Sequence, residues 1–256
     1  MSVNGDFYRF DSDRFVKVDY AIAEQLTVAD SFLVENGSVR AIQKHFDRFQ
    51  SSIHSPVEIN FEAFAKAVVE ILPLEGSWFP RLEYREFQPI GEQLFLRLRE
   101  APERTETLTL WSLDESDPRV SPGIKGPDLS ACQKLRRKAN LHGADEAVIL
   151  SDEGYIADGA LSSIMWWEGE VLCAPDDSTN WLPSITRELV LEIAQQAGFE
   201  IQLKRSRPED LAGCEVWSLS ALQGIRAATA WQDVAISQPK RHQSFRKRLS
   251  LIAEKL

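Results

Sequence analysis

Short apolar runs bounded by turn residues alternate along this chain with longer windows whose apolar side chains recur every three or four positions. That alternation of periods, two for strands and 3.6 for helices, restricts the chain to a mixed α/β architecture. The first half opens with strand-like "FVKVDYAI" and "DSFLVENGSVRA", where "ENG" between apolar runs marks a hairpin turn. Two helices are predicted next. "AIQKHFDRFQSSI" puts Ile42, Phe46 and Phe49 on one face, and "NFEAFAKAVVEIL" has Asn60 as cap with Phe61, Phe64, Val68 and Ile71 in register. "SWFPRLEYREF", "QLFLRLRE" and "TLTLWSL" then read as strands, and the alternation of Leu94, Leu96 and Leu98 predicts one sheet face in a core.

Periodicity stops at "DESDPRVSPG", residues 114–123, which is the expected domain boundary. Beyond it, Pro127 suits the first turn of a helix "DLSACQKLRRKANLH" that ends at Gly143, with Leu129, Cys132, Leu135 and Ala139 along one side. The strands "EAVILSD", "YIADG" and "SSIMWWEGEVLCAP" precede a helix "SITRELVLEIAQQAG" that starts after Pro183. A strand "EIQLK", a short helix "RPEDLAG", a strand "EVWSLSAL" and a last helix running to Leu256 complete the expected order. The adjacent Trp166 and Trp167 must face opposite sides of their strand, so one is expected in the core and the other at an interface or pocket wall.

Charge and composition exclude several functions. Of 256 residues, 29 are basic and 39 acidic, for a formal charge of −10, so the global field repels nucleic acid and anionic membranes. The basic runs Lys134–Lys138 and Lys240–Arg248 fall at helical spacing and read as solvated helix faces. No apolar stretch is long enough to span a bilayer and "MSVNGDFYRF" lacks the features of a signal peptide, so the expected location is cytoplasmic, with no membrane partner. Cys132, Cys173 and Cys214 are far apart and form no CxxC, so buried free thiols are expected, with neither disulfides nor a metal site.

The common hydrolase and nucleotide-binding motifs are absent. What remains is a lysine between glycines in "SPGIKGPDL", an acid in "YIADG", and a helix start bearing Ser and Thr in "LPSITR". Together with "SFLVENGSVRAIQKHFDRF", "GADEAVILSDEGYIADGALSSIMWW" and "SLSALQGIR", these blocks resemble, in order and spacing over roughly residues 30 to 231, the class IV aminotransferases. That family of fold-type IV pyridoxal-phosphate enzymes includes branched-chain aminotransferases, D-amino acid aminotransferases and 4-amino-4-deoxychorismate lyases.

The resemblance implies a two-domain α/β (α+β) protein with a D-amino acid aminotransferase-like fold: a small N-terminal domain over 1–118, and a larger pyridoxal-phosphate-binding domain over 119–256, the cofactor lying between them. It implies a homodimer acting on an amino acid and a 2-keto acid. Lys125 matches the lysine that holds the cofactor as a Schiff base and moves a proton. A lysine suits this because desolvation or a neighbouring cation readily lowers its pKa. Gly123 and Gly126 would let the backbone pass close to the ring.

Asp158, 33 residues beyond Lys125, matches the family's glutamate at the ring nitrogen, shorter by a methylene. The Ile185 and Thr186 amides match the phosphate-binding turn, with Ser184 where the family has glycine, and a helix start supplies N–H donors and a favourable dipole. Arg48 matches the arginine paired with the same phosphate. Ser163, where the family has asparagine, and Ser220 with Ala221 complete the implied cofactor contacts. A substrate carboxylate favours a guanidinium, and Arg226, Arg119 and Arg81 are the candidates. His45, one turn before Arg48, reads as a packing or supporting residue.

Three functions stay open. The first is an aminotransferase. The second is a 4-amino-4-deoxychorismate lyase, since "KGPDLSA" lacks the tyrosine that some branched-chain members carry after the lysine. The third is a non-catalytic relative, suggested by the replacements at Asp158, Ser163 and Ser184.

Overall fold

The computed structural model describes residues 5–19, 25–54 and 59–256; Met1–Asn4 and the Tyr20–Ile22 part of the first expected strand lie outside them. Contacts divide the chain into two compact units, one of Met1–Glu103, Ile124–Pro127 and Ile252–Leu256, the other of Arg104–Gly123 and Asp128–Leu251. The division therefore precedes the strand Thr107–Ser112 instead of following it. That strand pairs in parallel with Glu146–Leu150 and Gly224–Trp231, which commits it to the second unit. Conversely, the four residues around Lys125 cluster with the first unit.

The first unit holds a five-stranded antiparallel sheet in the order Arg14–Lys17, Asp6–Asp11, Leu94–Leu98, Arg81–Tyr84, Val28–Ser31. Leu94, Leu96 and Leu98 enter one core with Phe46 and Phe49 from the helix Ile42–Ser51 and Phe61, Phe64 and Val68 from the helix Phe61–Ile71. The second helix starts where the Asn60 Oδ1 accepts the Ala63 N–H at 3.1 Å, as the sequence predicts. The opposite sheet face is also covered. Phe95 is fully buried, stacked on Phe7 with ring centroids 5.1 Å apart.

The "ENG" turn joins Val34–Glu35 to Ser38–Arg40, with Asn36 and Gly37 both at positive φ (47° and 67°), as a two-residue primed hairpin requires. This hairpin belongs to a smaller sheet whose edge strand is Ala253–Lys255. The last helix thus stops at Leu251 and does not run to Leu256.

The second unit is built on an eight-stranded mixed sheet in the order Ile156–Gly159, Glu146–Leu150, Thr107–Ser112, Gly224–Trp231, Glu215–Ser220, Ser163–Glu168, Val171–Ala174, Glu200–Leu203. Trp166 and Trp167 do face opposite sides, but both are core. Trp166 packs among Leu108, Val148 and Val216 and donates its Nε1–H to Glu168, while Trp167 lies edge-on to Trp217, Phe199 and Phe245. Both faces of this sheet are covered within the unit, so no pocket wall is needed to account for the second ring. The three cysteines are buried free thiols. Among the described residues no helix is long and apolar enough to cross a membrane.

Candidate active site

The lysine loop is fastened through its backbone. The Asp128 carboxylate accepts the N–H groups of Val120 (3.0 Å) and Ser121 (2.7 Å), folding the loop back on itself ahead of the helix Leu129–Leu141. Asp128 is consequently the residue before that helix, and Pro127 stands outside its first turn. The Lys125 carbonyl accepts the Ala29 N–H at 2.7 Å. At Gly126, φ is +139° and a Cβ would come within 2.9 Å of Ala29 N and Val28 Cα. The glycine is thus demanded by close approach of one backbone to another. Gly123 has open space around it.

Next to Ala29 stands Asp30, a buried acid in the strand Val28–Ser31, which the sequence reading does not single out. Its Oδ1 accepts the Ser31 N–H (2.7 Å), the His45 Nδ1 (2.7 Å) and the Arg48 Nη2 (2.8 Å), and its Oδ2 accepts the Arg48 Nε (2.8 Å). Burial alone would raise the Asp30 pKa, but His45 and Arg48 overcome it and hold the carboxyl down to about 2. Burial lowers the His45 pKa, against the opposing pull of Asp30. The spacing of His45 and Arg48 is therefore a device for gripping one carboxylate from one helix face.

In the second unit, Asp158 sits in the strand Ile156–Gly159, almost wholly buried. Its Oδ1 accepts the Gly159 N–H (3.1 Å), its Oδ2 accepts the Leu182 N–H (3.0 Å), and Arg119 Nη1 lies 3.5 Å from Oδ2. Burial raises its pKa to about 6, against the opposing pull of Arg119, those two amides and Arg187. Two residues after Leu182, Ser184 caps the helix Ile185–Gln196, accepting the Arg187 N–H on its Oγ at 3.3 Å. Ser184 has φ −91° and ψ 119°, an extended conformation that does not require glycine. Ile185 and Thr186 occupy the first turn, where amides lack helical acceptors and favour an anion. Both residues are buried.

Ser163 is buried at the head of its strand, opposite Leu219. Ser220 closes a turn with Ala221, its Oγ accepting the Gln223 N–H at 3.2 Å. Each candidate substrate arginine has an acid beside it. Arg81 Nε donates to Glu83 at 2.8 Å, Arg226 lies 3.9 Å from Glu146, and Arg119 clasps Asp117. Besides Asp30, the acids Asp117, Glu83 and Glu146 were missed. A charged residue close to apolar Val28, Ala29, Phe32 and Leu33 was the available signal for Asp30.

Chemically, the second unit offers a carboxylate able to accept from a cationic ring N–H, beside a helix start able to bind an anion. The first unit offers a lysine on a braced loop. The architecture is that of solved fold-type IV transaminases. The chain superposes on the branched-chain amino acid aminotransferase of Escherichia coli with a TM-score of 0.83 at 15% identity, covering 96% of this chain and 94% of that one. It superposes on the transaminase CpuTA1 from Curtobacterium pusillum with a TM-score of 0.79 at 16% identity, covering 95% and 96%. Residues 27–231 match the family described as amino-transferase class IV, and the chain belongs to that family. Among curated relatives, the aminodeoxychorismate lyase of Bacillus subtilis is 28% identical over 90 residues, 35% of this chain and 31% of that protein. The matched part thus spans under a third of that relative's length.

Proposed function

We propose that this chain is a pyridoxal-phosphate-dependent aminotransferase that moves an amino group between an amino acid and a 2-keto acid. The observation that carries this reading is the Asp158 carboxylate, buried with Arg119 held off at 3.5 Å and tied by the Leu182 N–H to the segment that leads into the helix start at Ile185. When bound, pyridoxal phosphate supplies an electron sink for the pair of electrons left when the substrate Cα loses its proton. Lys125 Nζ holds the cofactor covalently before substrate arrives and then moves the Cα proton. Asp158 keeps the ring nitrogen protonated. The amides of Ile185 and Thr186, with Arg48, hold the phosphate, and Ser163, Ser220 and Ala221 border it. A homodimer in the cytoplasm is part of the same proposal and follows the resemblance to the family.

Purified protein should carry a visible absorption band that Lys125→Ala removes; an unchanged band in the variant takes Lys125 out of the role. A second reading, 4-amino-4-deoxychorismate lyase, is favoured by the missing tyrosine after Lys125 and by the Bacillus subtilis relative. Given an amino acid and no keto acid, a transaminase releases one keto acid per site and stops, whereas a lyase turns over aminodeoxychorismate continuously to pyruvate.

A further inference from the structure

Arg119 suggests itself as a ligand for a substrate carboxylate, but its side chain is only 4% exposed and is engaged on three sides. Its Nε lies 3.0 and 3.1 Å from the two Asp117 oxygens, and its Nη2 lies 2.8 Å from Asp117 Oδ2. The same Nη2 donates to the Asn180 carbonyl at 2.5 Å, and Nη1 reaches Asp158 Oδ2 at 3.5 Å. Asn180 and Leu182 lie in the connection between the strand Val171–Ala174 and the helix Ile185–Gln196. This connection is fastened at its start as well, where Arg187 Nη2 donates to the Pro175 carbonyl at 2.6 Å and the guanidinium covers the Trp181 ring at 3.9 Å. Two of the anchors of this loop, the Asn180 carbonyl and the Leu182 N–H, therefore end on Arg119 or on the carboxylate that Arg119 faces.

We propose that Arg119, locked in place by Asp117, is a positioning residue for both ends of the cofactor. It faces the Asp158 carboxylate at the ring end and, through Asn180, holds the loop that delivers the Ile185 and Thr186 amides to the phosphate end. The inference rests on the pyridoxal-phosphate reading above. A planar guanidinium can donate to three acceptor groups at once in fixed directions, which an ammonium on a flexible stem cannot. The division of its bonds also matters. Asp117 and the Asn180 carbonyl take the short contacts and leave Asp158 a cation at 3.5 Å, close enough to favour the ionised form through a long, weak contact. Among the described residues, the groups that act most on Asp158 are Arg119, Arg187 and the amides of Gly159 and Leu182, so removal of Arg119 still leaves Arg187.

The test compares wild type with Arg119→Gln, Arg119→Lys and Asp117→Asn. The Asp158 carboxyl carbon is followed against pH by NMR in the cofactor-free protein. Dissociation constants are then measured for pyridoxal phosphate and for pyridoxal, which lacks the phosphate. Arg119→Gln should raise the Asp158 midpoint by about one pH unit and weaken both ligands, pyridoxal phosphate by on the order of tenfold. Arg119→Lys should restore the Asp158 midpoint but not the affinity for pyridoxal phosphate, because it returns the charge without the fork. Should Arg119→Gln fail to fold, the lysine variant and Asp117→Asn carry the same comparison.

An unchanged Asp158 midpoint with unchanged affinities, accompanied by a raised KM for the amino acid, would overturn the proposal and return Arg119 to the substrate. Wild-type protein that binds no pyridoxal phosphate would sink the cofactor reading itself. The Asp158 titration, which needs no cofactor, separates that failure from failure of the link between Arg119 and Asp158.

Discussion

Two buried aspartates, one in each unit, meet arginines in opposite ways. Asp30 receives Arg48 through two bonds of 2.8 Å, with His45 and an amide completing its shell, and its pKa is held to about 2. Asp158 faces an arginine that is clasped by Asp117 and stands 3.5 Å away, and its pKa is pushed up to about 6. A carboxylate satisfied from every side is a structural joint. One whose cation is held off at 3.5 Å keeps a raised pKa, a perturbation of the kind found where a ligand binds.

The comparison breaks most readily at Asp30. Arg48→Ala should destabilise the protein by about 3–5 kcal/mol, because it strands a buried charge; a loss below about 1 kcal/mol in denaturant unfolding would mean that Asp30 is not the joint described. Gly126→Ala presses a methyl group on the strand that carries Asp30 and should cost about 1–3 kcal/mol, read in the same assay. The sign reverses in the second unit. Asp158→Asn removes a poorly compensated buried charge, so the cofactor-free protein should gain about 1–2 kcal/mol at neutral pH while turnover falls. Equal destabilisation at both aspartates would erase the distinction.

The smallest effect is in the pH dependence of stability. Asp30, depressed in the fold relative to ~3.9 in the unfolded chain, contributes stability present above pH ~4 and lost as pH falls toward about 2. Asp158, raised in the fold, contributes stability present below pH ~4 and lost as pH rises through about 6. Arg48→Ala should flatten the acid limb and Asp158→Asn the limb between about 4 and 6, as measured by thermal unfolding across pH.

How legible these features were in the sequence follows from how local their causes are. The "ENG" hairpin and the Asn60 cap could be read because a few adjacent residues determine them. The strand Ala253–Lys255 could not, since it is short and polar and its partner Ser38–Arg40 lies at the other end of the chain. Asp6–Asp11 and Gly224–Trp231 escaped as well, although each forms a hairpin with its neighbour in sequence besides pairing with a distant strand. The site divides likewise. Lys125, Asp158 and the helix start at Ile185 stand in recognisable local sequence, whereas Asp30 and Asp117 acquire meaning only from the arginines that folding brings to them. Arg119 was found by residue type, but the sequence shows a guanidinium and not the carboxylates around it.

The central claim is that Lys125 is the amine that holds pyridoxal phosphate. Reducing the loaded protein with borohydride and sequencing its peptides by mass spectrometry tests it most directly. The reduced cofactor should be found on the peptide containing "GIKGPDL", at Lys125; label on another lysine, or none on protein that has bound the cofactor, would contradict the account.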